Sequence, residues 1–259
     1  MNISIVIPVH KEKPNKYEKI TLLRIYKFFK RFQIVFISPQ GFDLKWYTLC
    51  EKPNNITKEE FPDYYFNDIA GYNKLLCSNT FYKRFGAFDY ILIAQLDSYV
   101  FGDQLEKWCK LGYDYIGAPW FDLTAQNKFY ESLKLSRYPI IREIKKSIDF
   151  IKGKSIDVGN GGFSLRKVKS FIKYSRWLKV IEPNIHKYGV NEDLIWSILV
   201  PKYFMSFKIA PFKDALKFSF DSNAQKAFEL NNSELPFGCH GWSKKENISF
   251  WCPSFINEV

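Results

Sequence analysis

The sequence predicts an α/β fold with a mostly parallel central sheet, and three observations carry that expectation. Ile3 to Val9 is a run rich in β-branched residues that ends at Pro8-Val9, the pattern of a strand buried on both faces. A helical repeat follows over Lys16 to Phe32, and a second apolar run, Gln33 to Ser38, follows the repeat. Strand, helix and strand in that order imply a right-handed crossover between parallel neighbours.

Within the helix, Ile20, Leu23, Ile25, Tyr26 and Phe29 are spaced to face a sheet. Pro39-Gln40-Gly41 closes the second strand. Ile69 to Phe81 is predicted as one helix and Tyr90 to Ala94 as a third strand, which runs into the polar segment Gln95-Leu96-Asp97. A short helix at Leu105 to Lys110 and a strand at Tyr113 to Ile116 come next, stopped by Gly117-Ala118-Pro119. The chain then turns basic over 121–154. There Ile141, Ile144, Ile148 and Ile151 fall on one helical face, with Arg142, Lys145, Lys146 and Lys152 opposite. Val158 to Arg166 reads as a glycine-rich loop, Lys167 to Lys179 as a helix, and Leu194 to Val200 as helical after a polar turn. The end of the chain, Pro236 to Trp242 included, reads as loop. No internal repeat or low-complexity linker divides the sequence. One domain over 1–259, with an inserted basic segment over 121–154, is the economical organisation.

Composition bounds the function. A chain of 259 residues, 46% hydrophobic and 25% charged, buries a core, and wholesale disorder is excluded. The net charge is +11, and seven of the 38 basic residues are arginine. A lysine-dominated excess suits diffuse attraction to phosphorylated ligands or an anionic membrane better than base readout, so nucleic acid is not expected as a partner. Aromatic residues, 19% of the chain, serve the core and also suit stacking on sugars. Cys50, Cys77, Cys109, Cys239 and Cys252 are scattered, with no C-x-x-C pair, which points to a reducing compartment. The N-terminus lacks the basic flank and cleavage site of a leader, and no apolar stretch reaches the ~20 residues of a membrane span. The amphipathic pattern in 121–154 suits either an anionic membrane surface or a helix packed on the domain.

Four segments carry residues suited to chemistry. Asp97 follows the carboxyl end of a strand, where open α/β sheets bind ligands. There it either holds a hard divalent cation or caps the next turn. The cluster Gly159-Asn160-Gly161-Gly162 lacks the lysine of a P-loop and the third glycine of a dinucleotide fingerprint. It is either a tight turn or a backbone that approaches a ligand closely. Asn191-Glu192-Asp193 offers helix capping or a general base. His240, one of three histidines with His10 and His186, sits in a glycine-flanked loop and suits metal, phosphate or a structural role.

Taken in order, these segments resemble the glycosyltransferases of the GT-A fold. Ile5-Val6-Ile7-Pro8-Val9-His10 resembles their opening strand, Gln95-Leu96-Asp97 their D-x-D metal motif, and Asn191-Glu192-Asp193 their x-E-D motif. Gly71 to Leu76, Asp114-Tyr115-Ile116-Gly117-Ala118-Pro119-Trp120 and Pro236 to Trp242 look like a bacterial domain-of-unknown-function family grouped with them. The resemblance implies a transferase, inverting, that moves a sugar from a nucleotide-diphosphate donor to a saccharide or lipid-linked acceptor in surface polysaccharide synthesis. It implies Mn²⁺ or Mg²⁺ held by Asp97 and His240, with donor contacts at Val9, His10, Asn73, Lys74, Gln95 and Asp97. Asp193 becomes the base, with Glu192 orienting a sugar. Trp120, Asn160, Gly161, Gly162 and Trp242 become acceptor or sugar contacts. One departure stands out: Gln95 replaces the first Asp of D-x-D. A cytoplasmic location, at the inner face of the membrane if the acceptor is lipid-linked, follows from the same resemblance. The rival expectation is a non-catalytic carbohydrate-binding protein that keeps the fold.

Overall fold

The computed structural model describes residues 1–49, 55–121, 158–181, 191–252 and 254–257. The basic insert from 122 onward, Cys50 and His186 lie outside the described residues. Nine strands are described: β1 (Ile3–Pro8), β2 (Gln33–Pro39), β3 (Ile56–Phe61), β4 (Tyr90–Ala94), β5 (Ser98–Val100), β6 (Tyr115–Ile116), β7 (Phe163–Lys167), β8 (Ser219–Phe220) and β9 (Gly238–His240). The main sheet has the order β3-β2-β1-β4-β7-β6, and a small sheet has the order β5-β9-β8. The pairs β1–β2, β2–β3 and β1–β4 are parallel, whereas β7 runs antiparallel to both β4 and β6. The predicted α/β class with a mostly parallel sheet is therefore the observed one.

The opening crossover forms as its sequence dictates. Asn15 caps the helix Lys16–Phe29 in a capping box, its side chain accepting from the backbone while Glu18 reaches back to the Asn15 N–H. Such a cap is worth about 1 kcal/mol. Ile20, Ile25, Tyr26 and Phe29 are buried as expected, but Leu23 is 42% exposed and lies off the sheet-facing stripe. The predicted helix over Ile69 to Phe81 is two helices, Ile69–Cys77 and Asn79–Arg84. Ser78 takes extended backbone at the junction and its side chain accepts from Phe81 N, so one residue ends the first helix and caps the second.

Five strands were not legible as strands, β3 among them. β7 occupies what reads as the tail of the glycine loop, β9 lies inside the predicted C-terminal loop, and β5 and β8 have three and two residues. β3, with its sequence Ile-Thr-Lys-Glu-Glu-Phe, is an edge strand with Thr57 and Lys58 exposed, and its charged residues blunt that edge. The predicted helix after Asn191 also departs from regularity. Glu192–Leu194 leads into a π-helical turn, Ile195–Leu199, before Val200–Tyr203 resumes the α-helix.

Two cores hold this arrangement. The larger packs Phe29, Phe36, Phe81, Tyr82, Phe171 and Trp196 against the main sheet. The smaller gathers Tyr99, Phe220, Trp242 and Trp251 on the small sheet. Ser98, where β5 begins, accepts from Thr21 Oγ1 through its carbonyl, which ties the small sheet to the first helix.

Candidate active site at the carboxyl ends of β4 and β9

β4 ends at Ala94 and hands the chain to Gln95, Leu96 and Asp97. β9 ends at His240 and pairs with β5 so that His240 stands opposite Ser98. This pairing brings His240 Nε2 to 3.0 Å from Asp97 Oδ1 and 3.1 Å from Gln95 Oε1. The other ring nitrogen lies 2.9 Å from Asp221 Oδ1, on the residue that follows β8, and 2.9 Å from Asn160 Nδ2. Burial alone would depress His240, but hydrogen bonds to Asp221 and Asp97 outweigh it and raise the imidazole to about 9. Burial works against both carboxylates as well, and the contact with His240 more than offsets it and holds Asp97 and Asp221 low. Lys244 Nζ stands 4.0 Å from Asp97 Oδ2 with its side chain 46% exposed.

The glycine loop shapes this corner. Asn160 has a positive φ of 67°, and its side-chain oxygen accepts from Gly162 N at 2.8 Å and Phe163 N at 3.1 Å. The Gly162 carbonyl accepts from Gln95 N at 2.8 Å, so the loop is pinned to the end of β4. A Cβ on Gly162 would overlap His240 Nε2 and come within 2.9 Å of Gln95 Oε1. On Gly161 it would overlap Glu192 Oε1, and on Gly159 the Trp120 ring. The absence of side chains is what lets three different groups close on one loop.

Behind the loop, Arg166 and Glu192 form a two-point ion pair, Nη2 to Oε1 at 2.7 Å and Nη1 to Oε2 at 3.1 Å. Arg166 also donates to Tyr82 Oη at 2.8 Å and Ser164 Oγ at 3.0 Å, and both partners of the pair are buried. Burial pushes the Glu192 carboxyl up and the guanidinium pulls it back. Asp193, the next residue, is half-buried, and its Oδ1 accepts from Leu194 N at 2.8 Å. Burial first and the Glu192 charge second raise its carboxyl to about 7.

Beside the corner lies a cleft of about 400 Å³, whose lining includes Val9, His10, Tyr72, Gln95 and Asp97. Burial, with Lys11 nearby, lowers His10. Asn73 and Lys74 do not line the cleft, contrary to expectation. Asn73 accepts from Glu192 N at 3.3 Å and donates to Asn191 Oδ1 at 3.1 Å, while exposed Lys74 lies over the Tyr64 ring. Their neighbour Tyr72 lines the cleft instead, with its hydroxyl buried beside Gln95. Trp242 cannot stack on a sugar. It is fully buried, donates to Thr21 Oγ1 at 3.2 Å, and meets Tyr17 and Tyr99 edge-on. Trp120 is likewise packed, on Gly159. Glu192 is committed to Arg166 and is not placed to orient a sugar.

Sequence reasoning missed Tyr72, Asp221 and Lys244. Asp221 follows a two-residue strand too short to show a period, and only the pairing of β8 with β9 brings it to His240. Among the described residues, no three His, Cys, Asp or Glu side chains form a metal-ligand group. The corner instead converges one carboxylate, one imidazole nitrogen and one amide oxygen. Donors of these three kinds, a carboxylate and an amide oxygen with an imidazole nitrogen, are of the types that bind divalent cations.

An α/β sheet of this order, with a polar corner at the carboxyl ends of β4 and β9, defines a protein of the GT-A fold. Three solved structures share the fold. Mouse xyloside xylosyltransferase 1, in its apo form, matches with a TM-score of 0.54 at 10% identity, over 93% of this chain and 98% of that one. The glycosyltransferase GlyE of Streptococcus pneumoniae TIGR4 gives 0.53 at 12% identity, over 95% of this chain and 56% of that one. An active-site mutant of LgtC gives 0.51 at 17% identity, over 92% and 86%. The chain belongs to the family described as protein of unknown function DUF5672, whose model matches residues 55–240. No curated protein matches the sequence.

Proposed function

We propose that the chain is a glycosyltransferase that moves a sugar from a nucleotide-diphosphate sugar to a hydroxyl of a saccharide or lipid-linked acceptor. The observation that carries this reading is the convergence of Asp97, His240 and Gln95 on one point beside a cleft, on a GT-A fold. In this reading the nucleoside lies along Val9 and His10, and the diphosphate reaches the corner, where Lys244 adds a positive charge. Mn²⁺ or Mg²⁺ bound by Asp97, His240 and Gln95 would act as a Lewis acid on the departing diphosphate, typically worth several kcal/mol.

Asp193 serves as general base. The acceptor oxygen bonds to the anomeric carbon as the bond to the diphosphate oxygen breaks, the diphosphate leaves with that electron pair, and the acceptor proton passes to the Asp193 carboxylate. A carboxyl raised to about 7 is matched to such a task at neutral pH. Direct displacement inverts the anomeric configuration. The lysine excess and a lipid-linked acceptor fit a cytoplasmic protein of surface polysaccharide synthesis that works at an anionic membrane. Among the described residues no helix is long and apolar enough to cross one.

A thermal-shift screen of nucleotide-diphosphate sugars with and without Mn²⁺, followed by an assay for nucleoside diphosphate release, tests the proposal. A Mn²⁺-dependent rise in melting temperature with at least one donor, and release of its diphosphate, is the expected result. Gln95 in place of an acid gives a specific footing to the rival, a carbohydrate-binding protein without catalysis. Stabilisation by saccharides with no response to any donor would favour that rival.

A further inference from the structure

We propose that Asp221 is a positioning residue that supplies, through the His240 ring, the negative charge that Gln95 does not bring to the cation corner. The inference rests on the reading of that corner as a divalent-cation site. β8 and β9 are parallel neighbours, with Phe220 opposite Cys239, so Asp221, just past β8, stands beside His240, the last residue of β9. Asp221 Oδ1 meets His240 Nδ1 at 2.9 Å, and this contact turns Nε2 toward Asp97 Oδ1 at 3.0 Å and Gln95 Oε1 at 3.1 Å. Asn160, held by its own bonds to Gly162 and Phe163, hydrogen-bonds the Asp221 carboxylate and keeps it in place. The ring is thereby fixed from behind and offered from the front.

Charge explains why the fixing group is a carboxylate. Hard divalent cations are held mainly by anionic oxygens. Here the front of the corner has one carboxylate, Asp97, and one neutral amide, Gln95. A carboxylate hydrogen-bonded to the far nitrogen of a ligating histidine sets its tautomer and raises its basicity, and loss of such a partner typically costs 10–100-fold in metal affinity. Asp221 and Gln95 stand on opposite sides of one imidazole, so the charge missing at the front is made up behind it. An acid at position 95 would make Asp221 correspondingly less important.

The test is Mn²⁺ affinity of the full chain, measured with the metal alone by electron paramagnetic resonance. Asp221→Asn keeps the size and an acceptor for the Nδ1 proton but removes the charge, and it should weaken Mn²⁺ by about 10–100-fold. Adding Gln95→Asp to that variant should recover about tenfold, clearly more than Gln95→Asp gains in the parent chain. That non-additivity is the signature, because a purely structural Asp221 gives the same gain in both backgrounds. Equal gains, or unchanged affinity in Asp221→Asn, overturn the proposal. If Asp221→Asn does not fold by circular dichroism, Asp221→Ser takes its place. Failure of both to fold also overturns it, by making Asp221 part of the scaffold. A parent chain that binds no Mn²⁺ removes the cation site itself, whereas tight binding that ignores Asp221 removes this inference alone.

Discussion

Front and back of the glycine loop hold the same kinds of side chain in two different conditions. At the back, Glu192 meets Arg166 at two points with both side chains sealed. At the front, Asp97, Asp221 and His240 meet with side-chain exposures of 33%, 21% and 12%. Full burial makes the rear pair expensive to break and useless to a ligand, because neither charge can be lent elsewhere. Partial exposure leaves the front carboxylates ionised yet reachable. The border runs between adjacent residues: Gly161 clears space for Glu192 and Gly162 for His240, and Glu192 is sealed while Asp193 beside it is half-buried.

The sharpest challenge to this division is Asp193→Asn. It should lower sugar transfer by about 10²–10⁴-fold while donor affinity barely changes, as initial-rate and binding measurements would show. Parent activity should rise with pH through about 7 as the base form appears. Stability runs the other way. A carboxyl raised in the folded state favours folding below its ordinary value and loses that contribution as pH rises through about 7. Asp193→Asn should therefore melt higher than the parent at pH 8. A lower melting temperature would place Asp193 with the scaffold instead.

Arg166→Met makes the complementary break. It strands a buried carboxylate and should cost about 3–5 kcal/mol in denaturant unfolding. Pairing it with Glu192→Leu should restore most of that loss, because no charge is then left uncompensated. If Arg166→Met unfolds like the parent, the rear pair is not the support described above.

The mildest expected effect is on the front and comes from pH. His240, raised to about 9, contributes stability that is complete below its ordinary value of 6.5 and is lost as pH climbs through 9. A cation must displace the same Nε2 proton, so Mn²⁺ affinity should climb across that window, by up to about tenfold per pH unit. Titration calorimetry at pH 6.5, 7.5 and 8.5 would record it, and a flat profile would mean that His240 is not a ligand.

The sequence shows the large features of this molecule because they repeat along the chain. β1, β2 and β4 are continuous apolar runs, and the helix between the first two carries a full capping box. The small sheet was hidden because two- and three-residue strands have no period, and Asp221 was hidden with it. Asp97, Asp193 and His240 were legible as motif positions, and the fold brings Asp97 and His240 together at the ends of their elements. Tryptophan misled the reading, since composition cannot tell a sugar platform from a core ring. Trp242, among glycines and beside His240, is enclosed by Tyr17 and Tyr99, which come from distant parts of the chain.

The π-helical turn after Asp193 carries a consequence of a different kind. Ile195–Leu199 holds one more residue per turn than the α-helix that resumes at Val200. Trp196 and Leu199 are locked in the core, so the wide turn acts as a phase adjuster between that anchor and the segment upstream. Each residue of an α-helix advances the chain by about 100° around its axis. Remove one residue from the turn and the downstream ridge keeps its seat, while Asp193 swings by about that angle around the helix axis. Glu192 swings with it, off Arg166. One surplus residue thus sets the aim of both carboxylates at once, and a shortened turn would read as an ordinary helix while pointing its acids the wrong way.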